Sequence, residues 1–231
     1  MSLVKLIAQA DARGLAASGL ACLDRCLPLL ADDADVLRPL WAGVAVREQD
    51  WPERLAASRQ AVEAAASVLD AEPGPGPGPT SEPGPGSGPG ELGSDMASAA
   101  ESAALIRTML ASAPSEWAAG PLRDWAEICS VAALEIHQKL DAVGEGGNAA
   151  AAERLARARE DTAAVSDAVD GAEGADGVGP LVAGELRRQI RILEILAETD
   201  GPAGVRQAMD LSTEGQRVLR AVVSRRARAQ G

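Results

Sequence analysis

"GPLRDWAEICSVAALEIHQKLDAV", residues 120 to 143, places Leu122, Trp125, Cys129, Ala132, Ile136, Leu140 and Val143 at steps of three and four. That spacing draws one apolar stripe along a helix of 3.6 residues per turn. Gly120-Pro121 suits its first turn, where the amide that proline lacks would have no helical partner. The stripe is built mainly from aliphatic and small side chains, and the rest of the chain follows it. Hydrophobic residues make up 46% of the 231, but aromatics only 2%, with no Phe, no Tyr and four Trp. Alanine, leucine and valine must therefore fill the interior; alanine is the best helix former and lets helices approach closely. Residues that favour strands are scarce. The expected fold class is all-α, a helical bundle of about seven to eight helices.

Working outward, Ala16, Leu20, Leu23, Leu27 and Leu30 form one face within residues 2 to 30, and Pro28 is expected to kink or restart that helix. Asp33 or Asp35 is a candidate cap for the helix that follows. Asp50, Pro52 and Glu53 fit a capping box ahead of a helix bearing Leu55, Val62, Ala65 and Leu69. Downstream, Ser94 or Asp95 opens a helix that ends before Pro114, and Asn148 caps one running to about residue 169. Val182, Leu186, Ile190, Leu193 and Ala197 mark another. Gly201-Pro202 opens a short helix, and Thr213 with Gln216 reads as the capping box of a separate last one.

One tract breaks the pattern: "EPGPGPGPTSEPGPGSGPGELGS", residues 72 to 94. Alternating proline and glycine removes amide donors and helix propensity and offers no apolar face, so a disordered or extended linker is expected. It divides an N-terminal helical segment (1–72) from a Pro/Gly linker or loop (73–94) and a C-terminal helical bundle (95–231). A segment of 72 residues sustains a core of its own only marginally. Two helical halves that pack together are thus as consistent with the sequence as two domains.

The net charge is −12, with −4 in residues 1–72 and −6 in 95–231. Such a chain is repelled by nucleic acid and anionic lipid, which leaves a protein partner or self-association. No apolar run reaches the length of a membrane span, and the N-terminus lacks the pattern of a secretory signal. Three cysteines, an odd number, fit a reduced, cytoplasmic setting better than a disulfide framework. Only Lys5 and Lys139 are lysines among 22 basic residues, a usage typical of GC-rich bacterial coding.

Few residues suggest chemistry. Cys22 and Cys26 stand one helical turn apart, and Cys129 and His137 share a second helix. Three cysteines and a histidine match a closed zinc site, and paired thiolates would also suit monovalent copper. A metal-binding or redox bundle is therefore the alternative reading. Against it, small buried cysteines on apolar stripes need no metal. No phosphate loop occurs, and no catalytic residues are assigned.

Residues 41–63, "WAGVAVREQDWPERLAASRQAVE", resemble a single helical hairpin of the tetratricopeptide type, with Gly43 as the small residue of its first helix. Trp41-Ala42-Gly43 also resembles the Trp-x-Gly turn of the helical-hairpin proteins exported by type VII secretion. The C-terminal "TEGQRVLRAVVSRRARAQG" sets Val218, Leu219, Val222 and Val223 beside arginines. Trp41, Trp51, Arg225 and Arg226 are the candidate interface residues. The function expected is a non-catalytic helical protein–protein interaction, scaffolding or regulatory role.

Overall fold

The computed structural model describes residues 2–31, 34–46, 50–71, 89–141, 148–161 and 178–230. Among these there is no strand, and nine α-helices form: α1 (Leu3–Gln9), α2 (Ala12–Cys26), α3 (Arg38–Val46), α4 (Trp51–Ala71), α5 (Pro89–Ala111), α6 (Ala119–Asp141), α7 (Asn148–Glu160), α8 (Pro180–Glu198) and α9 (Pro202–Gln230). Short 3-10 turns cover Leu27–Leu29 and Ala34–Leu37. The chain is thus all-α.

α2 is the axis of the bundle. Fourteen of its fifteen residues are buried, because α3, α5, α6, α8 and α9 all pack against it. Its small residues allow that enclosure. A Cβ added at Gly19 would lie 3.0 Å from the ring of Trp125, so the bare backbone there is the seat for the indole on α6. Buried apolar residues from before and after the Pro/Gly tract join one hydrophobic cluster, with Leu15, Leu20 and Leu23 of α2 beside Leu122, Ile136, Leu186 and Leu193. α4 packs on α3, forming a helical hairpin at the place of the tetratricopeptide resemblance.

Several boundaries depart from the sequence expectations. The first helix is divided: the Asp11 carboxylate accepts from Gly14 N at 2.7 Å and starts α2 afresh. Pro28 ends α2 in a 3-10 turn. Trp41 and Gly43 lie within α3 rather than at a turn. Asp50 takes a left-handed conformation (φ 64°), and its backbone oxygen receives Arg54 N at 2.9 Å. α5 begins at Pro89, inside the stretch read as linker, since proline is tolerated in a first turn. The remaining tract, residues 72–88, lies outside the described residues, as does Asp33; the helix expected from Asn148 to about residue 169 ends at Glu160, and residues 162–169 lie outside the described residues. Most informative is α9, a continuous helix where a break was expected at Thr213. The Thr213 hydroxyl donates back to Met209 O, one turn earlier, and Gln216 reaches across to α2.

Side chains from distant helices close the helix ends. Arg59 of α4 donates to Leu110, Ala111 and Ala113 carbonyls at the end of α5, and the indoles of Trp51 and Trp125 donate to Pro114 O and Met109 O. These groups satisfy carbonyls that the helix itself leaves unpaired. The Asp141 carboxylate at the end of α6 accepts from Leu181 N (3.0 Å) and Val182 N (2.9 Å), capping α8, whose own cap residue is Gly179.

Candidate functional site: two polar clusters around α2 and the end of α9

Cys22 and Cys26 of α2 and Cys129 and His137 of α6 are all buried, and their two helices are neighbours. Proximity stops short of a ligand set. Burial pushes the Cys22 thiol up to about 12, and burial holds Cys26 and Cys129 well above the ordinary thiol range. Thiols that keep their protons are poor nucleophiles. His137 Nδ1 lies 2.7 Å from Ala133 O, an acceptor only, so that nitrogen carries a hydrogen; Nε2 is 3.8 Å from Glu185 Oε2. Among the described residues no group of three or more His, Cys, Asp or Glu side chains is arranged to hold a metal ion.

Beside Cys22 and Cys26 lies an ion pair. Arg25 donates from Nε to Glu185 Oε2 at 2.8 Å and from Nη2 to Oε1 at 2.5 Å, and both residues are fully buried. The paired donors fit the two carboxylate oxygens like a fork, the strongest geometry available to this pair. Gln189 Nε2 donates to Glu185 Oε1 at 2.9 Å, and Ser130 Oγ donates to Gln189 Oε1 at 2.7 Å, extending the network from α8 to α6. Burial pushes the Glu185 carboxyl up, but the Arg25 charge overrides it and holds the group below the ordinary range. Burial likewise works against the charge on Arg25, and Glu185 more than offsets it. Arg25 Nη1 alone has no hydrogen-bond partner. α9 covers the pair with Gly215, where an added Cβ would sit 2.3 Å from Arg25 Cδ.

One residue earlier on α2, Asp24 is 4% exposed and faces α9. Ser212 Oγ lies 2.8 Å from Asp24 Oδ2, and Gln216 Nε2 lies 2.8 Å from both Oδ1 and the backbone oxygen of Asp24. The Trp41 indole N–H faces the carboxylate and favours its charge, without closing a hydrogen bond of ordinary geometry. Burial dominates and raises the Asp24 pKa. None of Asp24, Arg25, Ser130, Glu185, Gln189 or Ser212 stands among the sequence candidates. The available signal is a polar residue in an apolar stripe: Gln189 interrupts Val182, Leu186, Leu193 and Leu196, and Ser212 and Gln216 stand between Ala208 and Leu219.

The candidate interface residues divide. Trp51 is fully buried and Trp41 is 4% exposed, so their own chain uses the area an interface anchor would offer. Trp51 stacks edge-on against Trp117 and Trp125, at ring separations of 5.1 and 6.0 Å. Arg226 is half-buried and donates to Leu140 O, placing a cation at the carbonyl end of α6. Arg225 is exposed, as are Arg217, Arg220 and Arg228. At about 100° per residue these four fall within an arc of roughly 140° on the outer side of α9. No acidic residue occurs from 215 to 231. No helix among the described residues is long and apolar enough to cross a membrane. Protein-family models, curated proteins and solved structures yield no match to this chain.

Proposed function

We propose that this chain is a non-catalytic helical docking or scaffolding protein, and that the outer face of α9 engages a carboxylate-bearing protein surface. The observation that carries the reading is the arginine ridge. Arg217, Arg220, Arg225 and Arg228 project from a helix end that bears no acidic residue, in a chain of net charge −12. Arginine presents a planar fork suited to carboxylates. From Arg217 to Arg228 the ridge spans roughly 16 Å, the reach of a helix-sized acidic patch. The strongly negative body repels polyanions such as nucleic acid, while a local acidic patch on a protein suits the ridge. The polar clusters, by contrast, are enclosed and offer no surface to a substrate: Arg25 and Glu185 are fully buried, and Asp24 nearly so.

Charge reversal tests this. The variant Arg217→Glu/Arg225→Glu/Arg228→Glu retains a helical spectrum and a cooperative melt, because these side chains are exposed. Partner capture from the native lysate by the unaltered chain is expected to weaken with added salt and to vanish in the variant. Capture that is indifferent to both changes contradicts the reading, and a shift of the unaltered chain to a dimer by light scattering would identify the partner as a second copy.

A further inference from the structure

Donor counting at Asp24 separates its two protonation states. Gln216 has two amide hydrogens and two acceptors, Asp24 Oδ1 and Asp24 O, both at 2.8 Å. Ser212 has a single hydroxyl hydrogen and two acceptors in reach, Asp24 Oδ2 at 2.8 Å and Ala21 O at 3.2 Å. With the carboxylate ionised, the hydroxyl goes to Oδ2 and the Ala21 contact is forgone. With the carboxyl protonated, Oδ2–H donates to Ser212 Oγ, the hydroxyl turns to Ala21 O, and Gln216 keeps both of its bonds. Taking up a proton therefore adds a hydrogen bond between α2 and α9 and removes a buried charge. We propose that Asp24, Ser212 and Gln216 form an acid-closed latch that fastens α9 to α2, tightening when Asp24 is protonated and slackening when it ionises.

The surroundings leave the carboxylate without a cation of its own. On α2 the neighbouring titratable groups are Arg25, whose charge favours the ionised carboxylate but whose hydrogen bonds go to Glu185, and Cys26, which keeps its proton. α3 contributes the Trp41 indole, while Arg38 is 75% exposed and paired with Asp35. The turn Leu27–Leu29 carries no titratable side chain. On α9, Asp210, Glu214, Arg217 and Arg220 are exposed. Because α9 also bears the arginine ridge, the latch would set how firmly that ridge is presented; this consequence alone rests on the docking reading.

The test is Asp24→Asn in the full chain. Its amide donates to Ser212 Oγ while its oxygen accepts from Gln216, a permanent copy of the protonated latch. As pH rises from the ordinary aspartate pKa through the raised folded value, the unaltered chain is expected to lose stability relative to the variant, its unfolding constant rising about tenfold for each unit by which the folded carboxyl titrates above the unfolded one. Amide-exchange protection in α9 should fall over the same range in the unaltered chain only. Identical pH responses in the two proteins, or weaker α9 protection in the variant near neutrality, would overturn the latch. Should Asn prevent folding, the unaltered chain alone supplies a second arm: α9 amide-exchange protection that stays constant or rises as Asp24 ionises would equally overturn the proposal. These readouts need no partner, so a failed charge-reversal experiment and a failed latch are told apart.

Discussion

Asp24 and Arg25 adjoin on α2, yet they bond to different helices and are held there by different means. Arg25 meets a full counter-charge, the Glu185 carboxylate on α8, and gains from it more than burial costs. Asp24 hydrogen-bonds to neutral donors, the Ser212 hydroxyl and the Gln216 amide of α9, and the Arg25 charge beside it does not outweigh its burial. The first cluster favours both charges; the second favours a neutral acid. The same burial therefore gives opposite dependence on protons. Glu185, with its folded pKa lowered, contributes stability that is present above its unfolded pKa and lost as pH falls through the folded value. Asp24, with its folded pKa raised, contributes stability below its unfolded pKa that is lost as pH rises through the folded value.

Breaking the ion pair has the largest expected effect. Arg25→Met leaves Glu185 buried without a counter-charge and should lower stability by about 3–5 kcal/mol, read from the urea midpoint, whereas Arg25→Met/Glu185→Leu should recover most of it. A double variant as unstable as the single would show that the site depends on the charges themselves. Next comes Gly215→Ala. Its Cβ would arrive 2.3 Å from Arg25 Cδ, between the two α9 residues that grip Asp24, so the helix must shift. A loss of about 1–3 kcal/mol is expected, with both clusters disturbed. Asp141→Ala removes the cap that α6 provides to α8 and should cost about 1 kcal/mol by thermal denaturation. Because it touches neither cluster, the difference in pH dependence between Asp24→Asn and the unaltered chain should survive in its background.

The class of fold was legible because periodicity reports which face of a helix is buried, and the stripe through Leu122, Trp125, Cys129 and Ile136 does line the core. Boundaries set by tertiary contacts were not. Thr213 and Gln216 have the spacing of a capping box, but α9 runs through them because Gln216 spends its amide on Asp24, 192 residues away in sequence. α2 escapes a simple stripe reading because it is enclosed on every side, with Asp24 and Arg25 inside. The cysteines were legible as members of apolar helical stripes, while the ion pair beside Cys22 and Cys26 was not, since nothing local to Arg25 announces a glutamate 160 residues away. The arginines at the end of α9 were visible as charge; only the fold separates Arg226, spent on Leu140 O, from the exposed Arg225.

The central claim, that the buried carboxylates of Asp24 and Glu185 answer protons in opposite senses, is tested most directly by a carbon-13 carboxyl titration followed by NMR in the full chain, with Asp24→Asn and Glu185→Gln assigning the two signals. The account predicts an Asp24 midpoint above the ordinary aspartate value and a Glu185 midpoint below the ordinary glutamate value. An Asp24 midpoint at or below the ordinary value, or a Glu185 midpoint above it, would contradict it.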